Sequence, residues 1–438
     1  MPLFGVIVDD TYPYCQIEWN GKSKNSMKSA FASTLAISQI SSHLQNNAGQ
    51  SQPVRIESID VVRGLAMILM ALDHVRDYFS NVPFSPLDLT HTSVPLFLTR
   101  WITHLVAPTF VLFTGVSAFL WASFRHKSTG ELARFLLTRG LWLIILELTV
   151  VRFAWFFSLD YEFSIAQVIW AIGWSMIALA GLVYLPRWLN LSVAAAMILG
   201  HNLLDRFSPY QFGSFSWLWS ILHVRNTLEV IPGHQLIVLY PLVPWIGVMA
   251  LGYGLGPLFL GEKQARLRWF VRLGLGMILA FIFLRAINIY GDPTRWFPQR
   301  NATFTVLSFL NVEKYPPSLL FLLITLGPVF IALAVLERPL HHVTRVIMTY
   351  GRVPLFYYVL HLLLIHALAV SLAYLKYGSA DWLLGSAWLF RGDYPPDYGY
   401  DLPVVYLIWL GVVAALFPTC RWFARVKQQR GDWWLSYL

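Results

Sequence analysis

The sequence predicts an all-α protein, a polytopic transmembrane bundle of about ten (10–11) helices with both termini in the cytoplasm. Three observations carry this. Of 438 residues, 57% are hydrophobic and 13% charged, where a soluble domain carries about 25% charged residues. Ten stretches come close to or exceed the roughly 20 mostly apolar residues that a spanning helix needs. The basic residues also fall on alternate sides of those stretches, as the positive-inside rule requires. Nineteen Trp, 20 Tyr and 30 Phe suit the aromatic belts of a membrane protein.

The chain opens on a polar segment, 1–53, whose Ser-, Gln- and Asn-rich part from 38 to 53 is expected to be disordered. It shows no basic start, apolar run and small-residue cleavage site of a signal peptide. The membrane portion, 54–430, follows, and 431–438 form a short tail. The expected spans lie near 59–79, 94–122, 135–157, 164–185, 187–204, 235–260, 268–287, 316–336, 353–374 and 403–422. Pro108 is expected to bend or break the second, and Pro241 with Pro244 to bend the sixth. The stretch 215–222 is apolar but too short to span, so it reads as re-entrant or interfacial. Cys15 and Cys420 are far apart and make neither a disulfide framework nor a metal motif.

With the N-terminus inside, 20 of the 32 Lys and Arg fall at inner ends and loops and 7 at outer ones. The remaining 5, Arg63, Arg76, Arg100, Arg152 and Arg285, lie within spans. The net charge of +9 is therefore a topology signal, and no nucleic-acid partner is implied. Four outer loops are long, near 80–93, 205–234, 288–315 and 375–402, which points to a substrate met on that face.

Ionisable residues within spans are costly and usually face a cavity or a partner. On a wheel of 100° per residue, Arg63 and His74 of the first span lie about 20° apart, with Asp60 and Asp77 within about 60° of them. Met67 and Met70 share that stripe. The plainer reading of Asp60, Arg76 and Asp77 is interfacial ends and local ion pairs. His74 beside Asp73 sits deeper, and an Asp that orients a His is a usual arrangement for a general base. In the second span Arg100 and His104 are four apart and share a face at the depth of His74. Arg100 either binds an anionic group or pairs with Asp73 or Asp77. Gly115 and Ser117 read as helix-packing residues. His361 and His366 of the ninth span lie about 140° apart, so one is expected to be functional and the other to pack. Glu147, Arg152 and Arg285 are further buried charges. There is no P-loop, HExxH or GxSxG, and no carboxylate-rich His set for a pair of metals.

The segments Ser58-Ile59-Asp60-Val61-Val62-Arg63-Gly64 with Asp73-His74, and Thr99-Arg100-Trp101-Ile102-Thr103-His104 with Pro108, recur in order with Tyr240-Pro241, Pro244-Trp245-Ile246-Gly247, and Gly351-Arg352-Val353-Pro354-Leu355-Phe356 before His361 and His366. Together they resemble the membrane acyltransferase superfamily that includes heparan-α-glucosaminide N-acetyltransferase, its bacterial branch most closely. The resemblance implies acetyl-CoA, or another acyl-CoA, as cytoplasmic donor and no metal. It implies a sugar-type hydroxyl or amine acceptor on the outer face, from an envelope glycan or a small molecule. It also implies a bacterial inner (plasma) membrane; membrane lipid and a second copy of the chain are further expected partners. In the eukaryotic enzyme the position matching His74 is an Asn, and the catalytic His lies in the loop before the second helix, where His91 is nearest here. His104 stands where the bacterial branch has its own His. The base is thus left open among His74, His104 and His91.

The functional expectation is a membrane acyltransferase with His74 or His104 as base and Asp73 orienting it. Arg63, Arg100, Asp77 and His361 would contact substrate. Arg266, Arg268 and Arg352 would meet the CoA phosphates, and the pantetheine arm would follow the first-helix stripe. Direct transfer and an acyl-His intermediate are both open. The rival is a proton-coupled transporter of a small polar or anionic substrate, since buried His, Asp and Arg near broken helices also serve carriers; the lack of an internal repeat counts against it. A structural protein without substrate would leave the His, Asp and Arg at one depth unexplained.

Overall fold

A computed structural model describes residues 56–339, 341–385, 394–430, 432 and 435. The expected N-terminal tail and nearly all of 431–438 lie outside the described residues, as do Leu340 and positions 386–393 of the last long loop. The chain is mostly helical. Helices α1 (Glu57–Phe79), α2 (Val94–Ile102), α3 (Val106–Phe124), α4 (Thr129–Leu146) and α5 (Arg152–Phe156) come first. Then follow α6 (Val168–Leu182), α7 (Arg187–Gly200), α8 (Ser216–Leu222), α9 (Leu242–Leu260) and α10 (Lys263–Ile287). The last are α11 (Ala302–Leu310), α12 (Leu319–Leu336), α13 (His342–Arg352), α14 (Pro354–Tyr377) and α15 (Leu402–Gln429).

Among the described residues six helices are long and apolar enough to cross a membrane: α2 with α3 as one 31-residue unit, α9, α10, α12, α14 and α15. Helix also occupies the other four expected stretches, but α1 is too charged, α4 is interrupted, and α6 and α7 are short. Large apolar side chains such as Leu141, Ile145, Leu279, Phe283 and Leu407 point outward. A soluble protein seldom exposes so much apolar surface, whereas lipid accepts it.

Local chemistry explains the breaks. Pro108 has no N–H for the carbonyl one turn earlier and its ring crowds that carbonyl. The helix tightens just before it, into a 3-10 turn at Thr103–Leu105 between α2 and α3. Ser93 caps α2, its hydroxyl accepting from Leu96 N–H, and Ser128 with Glu131 forms a capping box on α4. A π-helical turn, Glu147–Val151, separates α4 from α5. The sixth expected span is corrected at its start. Residues 234–238 are a strand, and Pro241 is the N-cap of α9. Pro241 and Pro244 fall where helical N–H groups have no partner anyway, so they begin the helix instead of bending it.

The expectation of an all-helical chain misses a small sheet. Strands β1 (Phe163–Ala166), β2 (Asn226–Ile231) and β3 (His234–Val238) lie in the order β1-β3-β2. β1 runs parallel to β3, and β2 pairs antiparallel with it through a turn at Gly233, φ +79°. Four- to six-residue strands are too short to stand out between long apolar runs.

Helix α1 sits at the centre, against α3, α12, α13, α14 and α15. Its crossing with α13 is very close. A Cβ on Gly64 would strike the carbonyl of Ile347, and one on Gly351 the carbonyl of Asp60. The glycines of two separate sequence motifs are thus one packing device, in which small residues let backbones approach. Gly115 of α3 and Gly252 of α9 meet the opposing backbone in the same way. Gly64→Ala is expected to lower the detergent melting temperature by the equivalent of at least ~1–3 kcal/mol. Gly181→Ala, which meets nothing within 4 Å, should leave it unchanged or raise it, because Ala is the better helix former. Equal melting temperatures for the two variants would show that the crossing is not tight.

Candidate active site

A cavity of about 220 Å³ opens beside the C-terminal half of α1. Met70, Asp73, His74, Arg76 and Asp77 form one wall; Arg100, Thr103 and Val106, from the hinge between α2 and α3, form the next. The sheet closes it with Ile165 and Ile237, Trp155 comes from α5, and Arg225, Lys314 and Tyr315 enter from two long loops.

Two buried arginines build the loops that reach it. Arg152 donates to the carbonyls of Phe163 and Ser158 and to the Asp160 carboxylate, at 3.0, 2.7 and 2.8 Å. This fixes the turn into β1. Arg285 donates to the carbonyls of Phe309, Thr294, Ser308 and Asn311, at 2.6–3.1 Å. Asp292 then accepts from Ser318 Oγ at 2.6 Å and Glu313 N–H at 2.9 Å, which carries Lys314 and Tyr315 inward. Glu147, in the π turn, is buried beside the backbone of Gln167, Ile169 and Trp170 at the start of α6.

Asp73 pairs with Arg100 and, at 2.9 Å, with Arg76, which also pairs with Asp77. Of the two roles expected for Arg100, the structure shows the ion pair. Among the described contacts Asp73 pairs with these arginines and makes no hydrogen bond to His74. Consecutive helical residues diverge by about 100°, so Asp73 faces α2 while His74 faces α14. There His74 Nδ1 lies 2.7 Å from His361 Nε2, with the rings stacked at 13°.

The tautomers follow from one further contact. His361 Nδ1 is 2.9 Å from the Tyr357 carbonyl, which can only accept. His361 therefore carries its proton on Nδ1 and, when neutral, accepts at Nε2. His74 then donates from Nδ1, which leaves Nε2 as the acceptor nitrogen of a ring that lines the cavity. His361 itself is fully buried behind His74 and does not line the cavity.

The other expected residues lie elsewhere. His104, in the 3-10 turn, packs against Phe321 at 5.3 Å with neither ring nitrogen bonded, and it is outside the cavity lining. His91 is exposed on the loop before α2. Hydrogen bonds to Asp88 from Thr90 and from His91 hold that carboxyl down at about 2. Arg63 ties α1 to α3, donating to the Phe113 carbonyl at 3.1 Å and to Ser117, with Asp60 at 3.8 Å. Eleven residues of helix put it about 16 Å from His74. His366 packs, its ring nitrogens 3.0 and 2.9 Å from the carbonyls of Ala154 and Leu383. Arg266 is bound to Glu337 and to the carbonyls of Phe259 and Gly261. Arg268 is exposed and Arg352 partly buried. Among the described residues no group of three or more His, Cys, Asp and Glu could hold a metal ion.

Lys314, Tyr315, Arg225 and Trp155 were not singled out from sequence as site residues. Nothing local marks them, because three sit in loops and Trp155 is one aromatic among many. Burial opposes ionisation of the Tyr315 phenol, but Lys314 and Arg100 outweigh it and hold the phenol below its ordinary range.

The fold and cavity define a helical membrane protein with a histidine pair beside a buried, charged chamber. The sequence model of heparan-alpha-glucosaminide N-acetyltransferase, catalytic, matches residues 55–291, just over half of the chain, and the protein belongs to that membrane acetyltransferase family. The match takes in α1 through α10, while Gly351, Arg352 and His361 lie beyond it. Comparison with curated proteins gives no match.

Asp73→Asn and Arg100→Gln should each destabilise the protein, and the double variant should lose less than the sum. The expected coupling is roughly 1–3 kcal/mol, because a single change strands a buried charge. Strict additivity of the three melting shifts would deny the pair.

Proposed function

We propose that the chain is a membrane-embedded acyltransferase with His74 as general base. It would move an acetyl (acyl) group from cytoplasmic acyl-CoA to a sugar-type hydroxyl or amine acceptor at the outer face. The observation that carries this is the His74–His361 pair, which leaves Nε2 as the acceptor nitrogen of His74 at the wall of a chamber lined by charge.

In this reading the acceptor O–H or N–H gives its proton to His74 Nε2 as its heteroatom attacks the thioester carbonyl. The C–S bond then breaks, and the imidazolium returns the proton to the departing thiolate. His361 positions the ring and accepts from its Nδ1–H, a role that Asp plays in other histidine bases. The guanidinium groups of Arg76 and Arg100 supply positive potential near the developing oxyanion. Charge bias puts the start of α1 inside, so the donor would approach from the end where Arg352 follows Gly351, beside Asp60. The exposed Arg268 fits the phosphates better than Arg266, whose guanidinium is occupied. His74 is favoured over His104 as base, since His74 lines the cavity and His104 is not among its lining residues.

The test is thermal stabilisation of the detergent-purified chain by acetyl-CoA, CoA and ATP, followed by transfer assays. Acetyl-CoA and CoA should stabilise, by about 2.7 kcal/mol at a hundredfold excess over Kd, and ATP should not. His74→Ala should still bind acetyl-CoA but lose transfer by about 10²–10⁴-fold. His361→Leu should lower kcat less, leave KM for the donor unchanged and shift the pH profile. Absence of any CoA response, together with uptake of an unmodified solute by sealed vesicles, would move the proton-coupled transporter ahead.

A further inference from the structure

The chamber holds more positive charge than its own carboxylates offset. Arg76, Arg100, Arg225 and Lys314 line it, against Asp73 and Asp77. Both carboxylates are engaged, Asp73 by Arg100 and Arg76, and Asp77 by Arg76. Lys314 is only 6% exposed, and no carboxylate among the described residues reaches it at ion-pair distance. Its neighbour Glu313 turns a carboxylate oxygen to Tyr315 N–H instead, at 2.9 Å.

Lys314 and two arginines converge on one ring. The Lys314 ammonium lies 5.1 Å and the Arg225 guanidinium 5.9 Å from the centroid of Tyr315. Arg100 Nη2 is 3.5 Å from its hydroxyl. A phenol offers three cations a π-face and one oxygen, far less than a counter-ion would. Burying an ammonium without a counter-charge costs several kcal/mol, and a bound oxyanion removes that cost through charge-assisted hydrogen bonds. The chamber is also small. About 220 Å³ falls below the roughly 300–1,000 Å³ of sites for drug-sized ligands, so it admits one sugar-sized group or less.

We propose that Lys314, Arg225 and Arg100 form an oxyanion subsite around Tyr315, and that the molecule deprotonated by His74 carries a phosphate or a similar oxyanion. Deprotonation of that molecule by His74 rests on the acyltransferase reading; the oxyanion subsite does not.

The probes are inorganic phosphate and sulfate, titrated onto the full-length purified chain at constant ionic strength held with chloride. Both should give a saturable thermal shift in the wild type. Lys314→Met should weaken binding at least tenfold, and Lys314→Arg should retain it. With acetyl-CoA as donor, glucosamine 6-phosphate should exceed glucosamine at least tenfold in kcat/KM, and that ratio should collapse towards one in Lys314→Met. The subsite is overturned by the lack of a saturable response to either ion, or by an undiminished response in a Lys314→Met protein that melts as cooperatively as the wild type. Oxyanion binding that Lys314→Met abolishes, without acetyl transfer to either sugar, leaves the subsite standing and sinks the acyltransferase reading. Transfer to both sugars without oxyanion binding does the reverse.

Discussion

The Asp73 carboxylate, held between Arg76 and Arg100, is the constraint around which the chamber is arranged. It joins the central helix to the hinge between α2 and α3, and so sets the register of the two walls nearest His74. A buried ion pair seldom adds net stability over an apolar replacement, but removing one partner is expensive. Its effect is therefore to select one arrangement of helices over near alternatives. With both carboxylates of the wall engaged, whatever enters the chamber meets an excess of cations.

Around that pair, two buried arginines act on loops instead of ligands. Arg152 and Arg285 are each surrounded by backbone carbonyls, and a guanidinium with five donors can satisfy several at once. One fixes the turn into β1, and the other fixes the segment that delivers Lys314 and Tyr315. The three-stranded sheet then closes the chamber between long helices. Irregular backbone is tolerated in a membrane protein where protein groups satisfy it, and these arginines supply the donors.

The histidine pair divides its labour by tautomer. The Tyr357 carbonyl settles where His361 carries its proton, His361 settles His74, and Nε2 of His74, whose ring lines the chamber, is left as an acceptor. Among the described residues no carboxylate is hydrogen-bonded to either ring. The arrangement leaves Asp73 to pair with arginine, a separation of roles that the adjacency of Asp73 and His74 in the chain conceals.

Composition, the apolar runs and the Lys and Arg bias sufficed to read a helical membrane protein, because lipid forces every span to be apolar and self-satisfied. The family was legible too, through short motifs whose glycines prove to be paired helix contacts. His74, Asp73 and Arg100 could be placed at one depth, because the regular rise of a helix fixes how far into the membrane each residue lies. What partners each one takes was not legible. His361 is 287 positions from His74, and only packing of α14 against α1 brings them together. Nor could the sequence reveal the sheet, the displacement of His104 by a 3-10 turn, or Lys314 and Tyr315. Their positions depend on hydrogen bonds from Arg285, more than twenty residues away, and such non-local contacts leave no periodic trace in the chain.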